Sequence, residues 1–156
     1  MLCGKIAAGK STLASRLGRE SAAVLLAEDD WLNALFSDQM SSGAEYVRCS
    51  SRLRKIMGPH VSALLRAGVS VVLDFPANTV EQRDWMRGLY AATGASHQLH
   101  VLDVPDELCL ARLRERNARG DHSFAPTEAQ FRRFSSYFVM PTPEEGFNIV
   151  AHDQPA

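Results

Sequence analysis

The chain has 156 residues, of which 46% are hydrophobic and 22% charged, and its formal net charge is −1. This length and composition predict one globular domain with a sizeable core, and no apolar run is long enough to cross a bilayer. The near-neutral charge argues against a protein that holds nucleic acid mainly by its phosphates. The first residues do not form a basic segment followed by an apolar core, so we expect no signal peptide and a cytoplasmic protein that binds neither membranes nor nucleic acid.

The N-terminal stretch GKIAAGKST has the G-x-x-x-x-G-K-S/T spacing of a Walker A phosphate-binding loop. Gly4 and Gly9 permit positive φ angles, so successive backbone N–H groups can turn toward a phosphate. Lys10 supplies a charge for the β- and γ-phosphates, and the Ser11 hydroxyl can ligate Mg²⁺. The stretch therefore predicts a nucleoside triphosphate site. Its predicted nucleotide-binding residues are Gly4, Ala7, Ala8, Gly9, Lys10, Ser11 and Thr12.

Predicted helices and strands alternate along the chain. Short apolar runs predict strands at 22–27, 69–75, 97–104 and 147–150. Helical spacing predicts helices at 11–20, from Trp31 to Phe36, at 44–67 with a kink or division at Gly58–Pro59, at 79–93, at 105–119 and from 127 onward.

This order of elements predicts one three-layer α/β domain over residues 1–152, with a mainly parallel five-stranded sheet. Residues 153–156 are predicted to form a loose tail. Only three residues precede Gly4, so the first strand is either unusually short or lacks a few native residues.

The cysteines and two neighbouring histidines are predicted to have no catalytic role. Cys3, Cys49 and Cys109 are widely spaced and form no C-x-x-C pair, so we expect buried, reduced thiols. His97 and His100 lie three residues apart in a predicted strand and would face opposite sides of it. We therefore predict no metal site shared by these histidines.

Acidic residues that end predicted strands are candidates for the chemistry, because ligands of open parallel sheets bind beyond the carboxyl ends of the strands. Asp74 follows an apolar strand and is predicted to hold Mg²⁺ together with Ser11, with a turn-forming aspartate as the alternative. Asp29 and Asp30 follow the second strand. Either could accept the proton of a substrate hydroxyl, or both could cap the helix near Trp31. We favour Asp29 as the base, in contact with substrate.

Arginines surround the loop at residues 120–126, in a pattern typical of a lid that closes over phosphates. The alternative is a solvated helix surface with Arg–Glu pairs, such as Arg119 with Glu115. We favour that alternative for Arg112, Arg114 and Arg132, and a contact with phosphate for Arg116 and Arg119. Arg83, after the third strand, is a candidate for substrate contact or an ordinary surface arginine.

These residues together resemble the AAA_33, zeta-toxin-like group of small P-loop kinases. The resemblance covers nearly the whole chain, through GKIAAGKSTLA, LLAEDDWL, VVLDFPANT with Arg83, RLRERNARG and PEEGFNIV. It implies ATP- and Mg²⁺-dependent phosphoryl transfer to a small-molecule hydroxyl, with a carboxylate base after the second strand and arginines in a lid. The residues predicted to be catalytic are Lys10, Asp29, Asp30 and Arg116. The chain departs from the family in its short first strand, its short lid and Lys5, where a small or apolar residue is more usual.

Two hypotheses follow for the function. The first is a small-molecule kinase, whose acceptor is predicted to contact residues from Asp30 to Arg54. The second is an ATP-binding switch or interaction module without phosphoryl transfer. The residues leave the acceptor and the oligomeric state open.

Overall fold

The computed structural model describes residues 1–120 and 125–152, so the predicted tail at 153–156 lies outside the described residues. Helices and strands alternate as predicted. The strands are β1 (Leu2–Cys3), β2 (Val24–Ala27), β3 (Val71–Asp74), β4 (Leu99–Leu102) and β5 (Ile149–His152). The helices are α1 (Lys10–Glu20), α2 (Glu28–Phe36), α3 (Gly43–Arg66), α4 (Val80–Ala91), α5 (Asp106–Arg119) and α6 (Glu128–Ser135).

All strand pairs are parallel, but the prediction of one five-stranded sheet is wrong. The strands form a three-stranded sheet in the order β1-β4-β5 and a two-stranded sheet of β2 and β3. A single bridge between Leu2 and Pro76 joins the two sheets. The sheets stay separate because β1 has only two residues and meets the neighbouring stretch of chain only at Pro76, two residues after the end of β3.

Helices cover both faces of the strands, so the domain has three layers. Neighbouring strand residues point to opposite faces, and accordingly Leu73 and Val101 belong to one core while Val72 and Leu102 belong to the other. Helices α3 and α4 cover the first face with Leu53, Met57, Val61, Met86 and Leu89. Helices α1, α5 and α6 cover the second with Leu13, Ala14, Cys109, Leu110, Leu113 and Phe131.

Helix α3 runs through Gly58 and Pro59 without a break, so the alternative of two consecutive helices is wrong. Its start is stabilised by a capping box between Ser42 and Glu45. Pro59 and Lys55 are both exposed, so the Lys55 carbonyl that loses its partner at the proline can face water. A Cβ atom at Gly58 would stand 3.6 Å from Nε1 of Trp85, which shows how closely α3 packs on α4.

The three cysteines are free and buried, as predicted. Among residues 1–120 and 125–152, no helix has the length and apolar character needed to cross a bilayer.

Candidate functional site

The predicted phosphate-binding loop connects β1 to α1 and has three residues with positive φ. They are Gly4 at 156°, Ala7 at 60° and Gly9 at 102°. Position 4 requires glycine for a second reason besides its φ angle: an added Cβ atom would stand 2.9 Å from the backbone oxygen of Leu102. A non-glycine residue such as Ala7 adopts the left-handed region at a cost, and such strain concentrates at functional sites. Alternation of left- and right-handed residues also forms concave, anion-binding backbone.

The Lys10 side chain folds back over this loop. Its Nζ atom donates hydrogen bonds to the carbonyl oxygens of Gly4 and Lys5, both at 2.8 Å. Burial lowers the pKa of Lys10, and the nearby carboxylates of Asp74 and Asp29 oppose that effect. The structure therefore brings together the loop lysine and the two carboxylates that follow β3 and β2.

Two further side chains anchor the loop to the rest of the domain. Asn78, after β3, accepts a hydrogen bond from the Gly4 N–H at 2.9 Å. Lys5 forms an ion pair with Asp106 at the start of α5, with Nζ and Oδ1 2.5 Å apart. Its Nζ atom also lies 5.6 Å from the centre of the Phe138 ring. The unusual lysine after Gly4 thus ties the loop to α5 and to the segment after α6, and neither contact was predicted.

Asp74 and Asp29 reach the same edge because β2 and β3 are in register. Ala27, the last residue of β2, pairs with Asp74, the last residue of β3. Asp29 is the second residue of α2, which follows β2 directly. Both Asp29 and Asp30 are exposed.

The alternative that Asp29 and Asp30 cap a helix near Trp31 is wrong. Helix α2 begins at Glu28, three residues earlier than expected, and its N-cap is Ala27, which makes no side-chain hydrogen bond. The two aspartates lie inside the first turn instead. A negative charge there is favoured by the partial positive charge of the helix N-terminus.

The side chains predicted for Mg²⁺ offer oxygen ligands of the kind that this ion prefers. Ser11 is the second residue of α1 with its side chain exposed, and Asp74 is partly exposed at the end of β3. Within residues 1–120 and 125–152, no three His, Cys, Asp or Glu side chains are grouped so that they alone could hold a metal ion. Ser11 and Asp74 could supply two oxygen ligands to a magnesium ion that takes its other ligands from nucleotide phosphates and water.

The sequence predicted no role for Glu28, which directly precedes Asp29 and Asp30. It is only 1% exposed. Its Oε2 atom accepts a hydrogen bond from the Tyr46 hydroxyl at 3.0 Å, and its Oε1 atom accepts from Nε of Arg54 at 3.1 Å. Burial raises the pKa of Glu28, while Arg54 and Tyr46 lower it. The run of three acidic residues after β2 could have indicated a role for Glu28, but a run of this kind does not show which of its members is buried.

Arg83 lies in the interior of the domain, so the alternative of an ordinary surface arginine is wrong. It is fully buried, and its guanidinium group forms an ion pair with Glu145 and donates to the carbonyl oxygens of Ala77 and Val139. Through these contacts Arg83 holds α4 to the segment before β5.

The arginines of α5 lie mostly at its surface. Arg119 pairs with Glu115 at 3.4 Å, as in the solvated-helix alternative, and Arg114 reaches Glu128 of α6 at 2.6 Å. Arg116 is half-buried. Of the predicted lid at 120–126, residues 121–124 lie outside the described residues.

The loop geometry, the parallel strands and the carboxylates at their ends define a P-loop fold of the small-kinase type. A family model described as AAA domain, AAA_33, matches residues 1–141, and the chain belongs to this family. The resemblance inferred from the sequence motifs is thereby confirmed. No curated protein matches the chain.

Solved structures share the fold over almost the whole chain at low sequence identity. A candidate kinase from Chloroflexus aurantiacus J-10-fl is 20% identical with a TM-score of 0.75, over 97% of this chain and 82% of that one. A sugar kinase from Janibacter sp. HTCC2649 is 18% identical with a TM-score of 0.69, over 98% and 83%. The Mycobacterium tuberculosis APS kinase CysC, in complex with AMPPNP and APS, is 22% identical with a TM-score of 0.62, over 99% and 87%.

Proposed function

We propose that the protein is an ATP-dependent phosphotransferase that moves the γ-phosphoryl group to a hydroxyl of a small molecule. The observation that carries this proposal is the position of Lys10, which lies across the phosphate loop and within the electrostatic reach of Asp29 and Asp74. A loop lysine beside two carboxylates provides the donor half of a kinase site. The fold shared with solved kinases, one of them bound to AMPPNP, supports ATP as the donor.

In this proposal the loop holds the triphosphate through its backbone and one side chain. The N–H groups between Gly4 and Thr12 and the partial positive charge of the α1 N-terminus bind the phosphate oxygens. Lys10 leaves the carbonyl oxygens of Gly4 and Lys5 and pairs with the β- and γ-phosphates. Ser11 and Asp74 would hold Mg²⁺, which neutralises charge on the β- and γ-phosphates when bound.

Asp29 is the proposed base. It accepts the proton of the acceptor hydroxyl while the hydroxyl oxygen forms a bond to the γ-phosphorus and the bond to the β-phosphate oxygen breaks, releasing ADP. We choose Asp29 over Asp30 because Asp29 is the carboxylate whose charge acts on Lys10. Arg116 and Arg119 are proposed to neutralise charge on the transferred group from α5. The acceptor is proposed to lie beside α2 and the first half of α3.

The test is a transfer screen with ATP and Mg²⁺ against sugars, nucleosides and aminoglycosides, with phosphorylated product detected by mass spectrometry. Asp29→Asn should lower the rate of transfer about 10²- to 10⁴-fold, the usual contribution of a general base. Asp30→Asn is the matched control and should retain most of the activity. ATP turnover that never yields a phosphorylated acceptor would refute the proposal in favour of an ATP-binding switch. A larger loss in Asp30→Asn would reassign the base.

A further inference from the structure

Glu28 is a buried carboxylate whose two oxygens are both paired with helix α3. Tyr46 donates to Oε2 at 3.0 Å, and Arg54 approaches Oε1 with Nε at 3.1 Å and Nη2 at 3.0 Å. Removing an ionised carboxylate from water is costly unless such partners compensate for the lost hydration. The pairing therefore holds the first turn of α2 at one position against α3.

We call the contact of Glu28 with Tyr46 and Arg54 the tether of the first turn of α2. The N-cap of helix α2 is Ala27, which makes no side-chain hydrogen bond, so the cap residue does not fix the position of the first turn. Asp29 follows Glu28 directly in the chain. A displacement of Glu28 would consequently move the carboxylate of Asp29 with it.

Arg54 extends the same support to the other site carboxylate. Its guanidinium carbon lies 5.7 Å from the centre of the Trp85 ring on α4. Trp85 packs against Phe75, with ring centres 5.6 Å apart, and Phe75 follows Asp74 directly. A continuous set of contacts thus connects the residue before Asp29 with the residue after Asp74.

We propose that Glu28 and Arg54 are positioning residues, which hold the carboxylates of Asp29 and Asp74 at the spacing that phosphoryl transfer requires. The inference rests on the proposed kinase function. Neither side chain needs to touch a substrate for this role. A pair that only stabilised the fold would change the amount of folded protein and leave the catalytic constants of that protein unchanged.

The kinetic test compares Arg54→Met with Arg66→Met, a change of an exposed arginine at the far end of the same helix. We expect kcat of Arg54→Met to fall about 100-fold, the effect of a misplacement of about 1 Å. The KM for ATP should change less than about threefold, because the phosphate loop is untouched. Arg54→Lys should recover part of the loss, and Arg66→Met should behave as the wild type.

A pH profile separates positioning from simple stabilisation. The charged and titratable groups acting on Glu28 are Arg54, Tyr46 and Asp29. Without the Arg54 cation, one of the groups that oppose the effect of burial is lost, so the pKa of Glu28 should rise further and Glu28 should bind a proton at a higher pH than in the wild type. The fall of kcat with pH should therefore begin at a higher pH in Arg54→Met than in the wild type, and the double variant Glu28→Gln/Arg54→Met should lose this shift. The double variant contains no buried unpaired charge, so its kcat can be measured even if Arg54→Met does not fold.

Hydrogen exchange gives a measurement that is independent of any acceptor. The amides of residues 32–35 bond to carbonyls of the first turn of α2, so they should lose protection in Arg54→Met, while those of residues 14–17 in α1 should not. If no acceptor is phosphorylated by the wild type, the kinase proposal fails while this exchange result still decides whether the tether exists. The inference would be overturned by unchanged exchange, by a wild-type kcat and pH profile in folded Arg54→Met, or by a wild-type kcat in the double variant.

Discussion

Arg83 and Glu145 form a two-point ion pair, with Nε 2.6 Å from Oε2 and Nη2 2.9 Å from Oε1. The remaining guanidinium nitrogen donates to the carbonyl oxygens of Ala77 and Val139. Arg83 is 0% exposed. Its side chain joins α4 to Ala77, which follows β3, and to Glu145, which precedes β5. The pair belongs to the frame that supports the site.

Loss of this pair should destabilise the protein strongly. Arg83→Met leaves Glu145 without its buried cation, and breaking a buried pair costs about 3–5 kcal/mol in free energy of unfolding. The control is Arg114→Met, which removes an exposed pair with Glu128, whose side chains are 62% and 46% exposed. That change should cost less than about 1 kcal/mol. Urea denaturation measures both, and equal midpoints for the two variants would contradict the expectation.

Lys10→Met should abolish tight nucleotide binding while the fold survives. Methionine loses the two hydrogen bonds of Lys10 to the loop carbonyls, but it also removes an ammonium group that burial disfavours, so the variant should still fold. A hydrogen bond to a charged group contributes about 1.5–3 kcal/mol, so affinity for AMPPNP should fall about 10- to 100-fold. Titration calorimetry makes the measurement, with Lys55→Met, an exposed lysine on α3, as control. Unaltered affinity in Lys10→Met would remove Lys10 from the site.

Two glycine-to-alanine changes should have opposite signs. At Gly4, the φ angle of 156° and the 2.9 Å approach of a Cβ atom to the Leu102 oxygen leave no room for a side chain. Gly4→Ala should therefore cost at least about 1 kcal/mol and weaken nucleotide binding. Gly88 lies within α4 with nothing within 4 Å of an added Cβ atom, so Gly88→Ala should stabilise by about 0.5–1 kcal/mol. Thermal unfolding and AMPPNP titration check both, and a stable, nucleotide-binding Gly4→Ala protein would disprove the assigned loop geometry.

His100 should make the folded state sensitive to acid. Burial, with the N-terminal amine, His152 and Arg16 adding positive charge, lowers the pKa of His100 from 6.5 to about 4. Its Nδ1 atom lies 2.8 Å from Nε2 of His152, so one ring must donate and the other accept. Between pH 6.5 and about pH 4 the unfolded chain binds more protons at His100 than the folded protein does. The contribution of neutral, buried His100 to the free energy of unfolding is therefore complete above pH 6.5 and is lost as the pH falls through about 4.

The contribution of His100 is at most about 3 kcal/mol, from the difference between its folded and unfolded pKa values. His100→Gln should therefore flatten the fall in unfolding free energy between pH 6.5 and pH 4. His60→Gln, at an exposed position on α3, should leave the slope as in the wild type. Urea denaturation at a series of pH values gives the slopes, and identical slopes for both variants would exclude His100 as the source.

Local patterns in the sequence determined the class of fold and the donor side of the site. Glycine spacing predicted the loop from Gly4 to Thr12, because positive φ angles and a close backbone approach depend on residue type at single positions. Apolar runs predicted strands ending near Asp29 and at Asp74, because parallel strands are buried on both faces. The pairing of β2 with β3 sets their register, and this register brings Asp29 and Asp74 to the same edge of the sheet.

The tertiary structure alone decided which polar residues are buried and what they pair with. Glu28 meets Arg54 across 26 positions, and Arg83 meets Glu145 across 62. It also divided the strands into two sheets and kept α3 continuous through Pro59. No local pattern distinguishes Glu28 from Asp29, or Arg83 from an exposed arginine. A charged side chain is buried only where a distant partner compensates for its lost hydration, and that partner is brought close by packing of the whole chain.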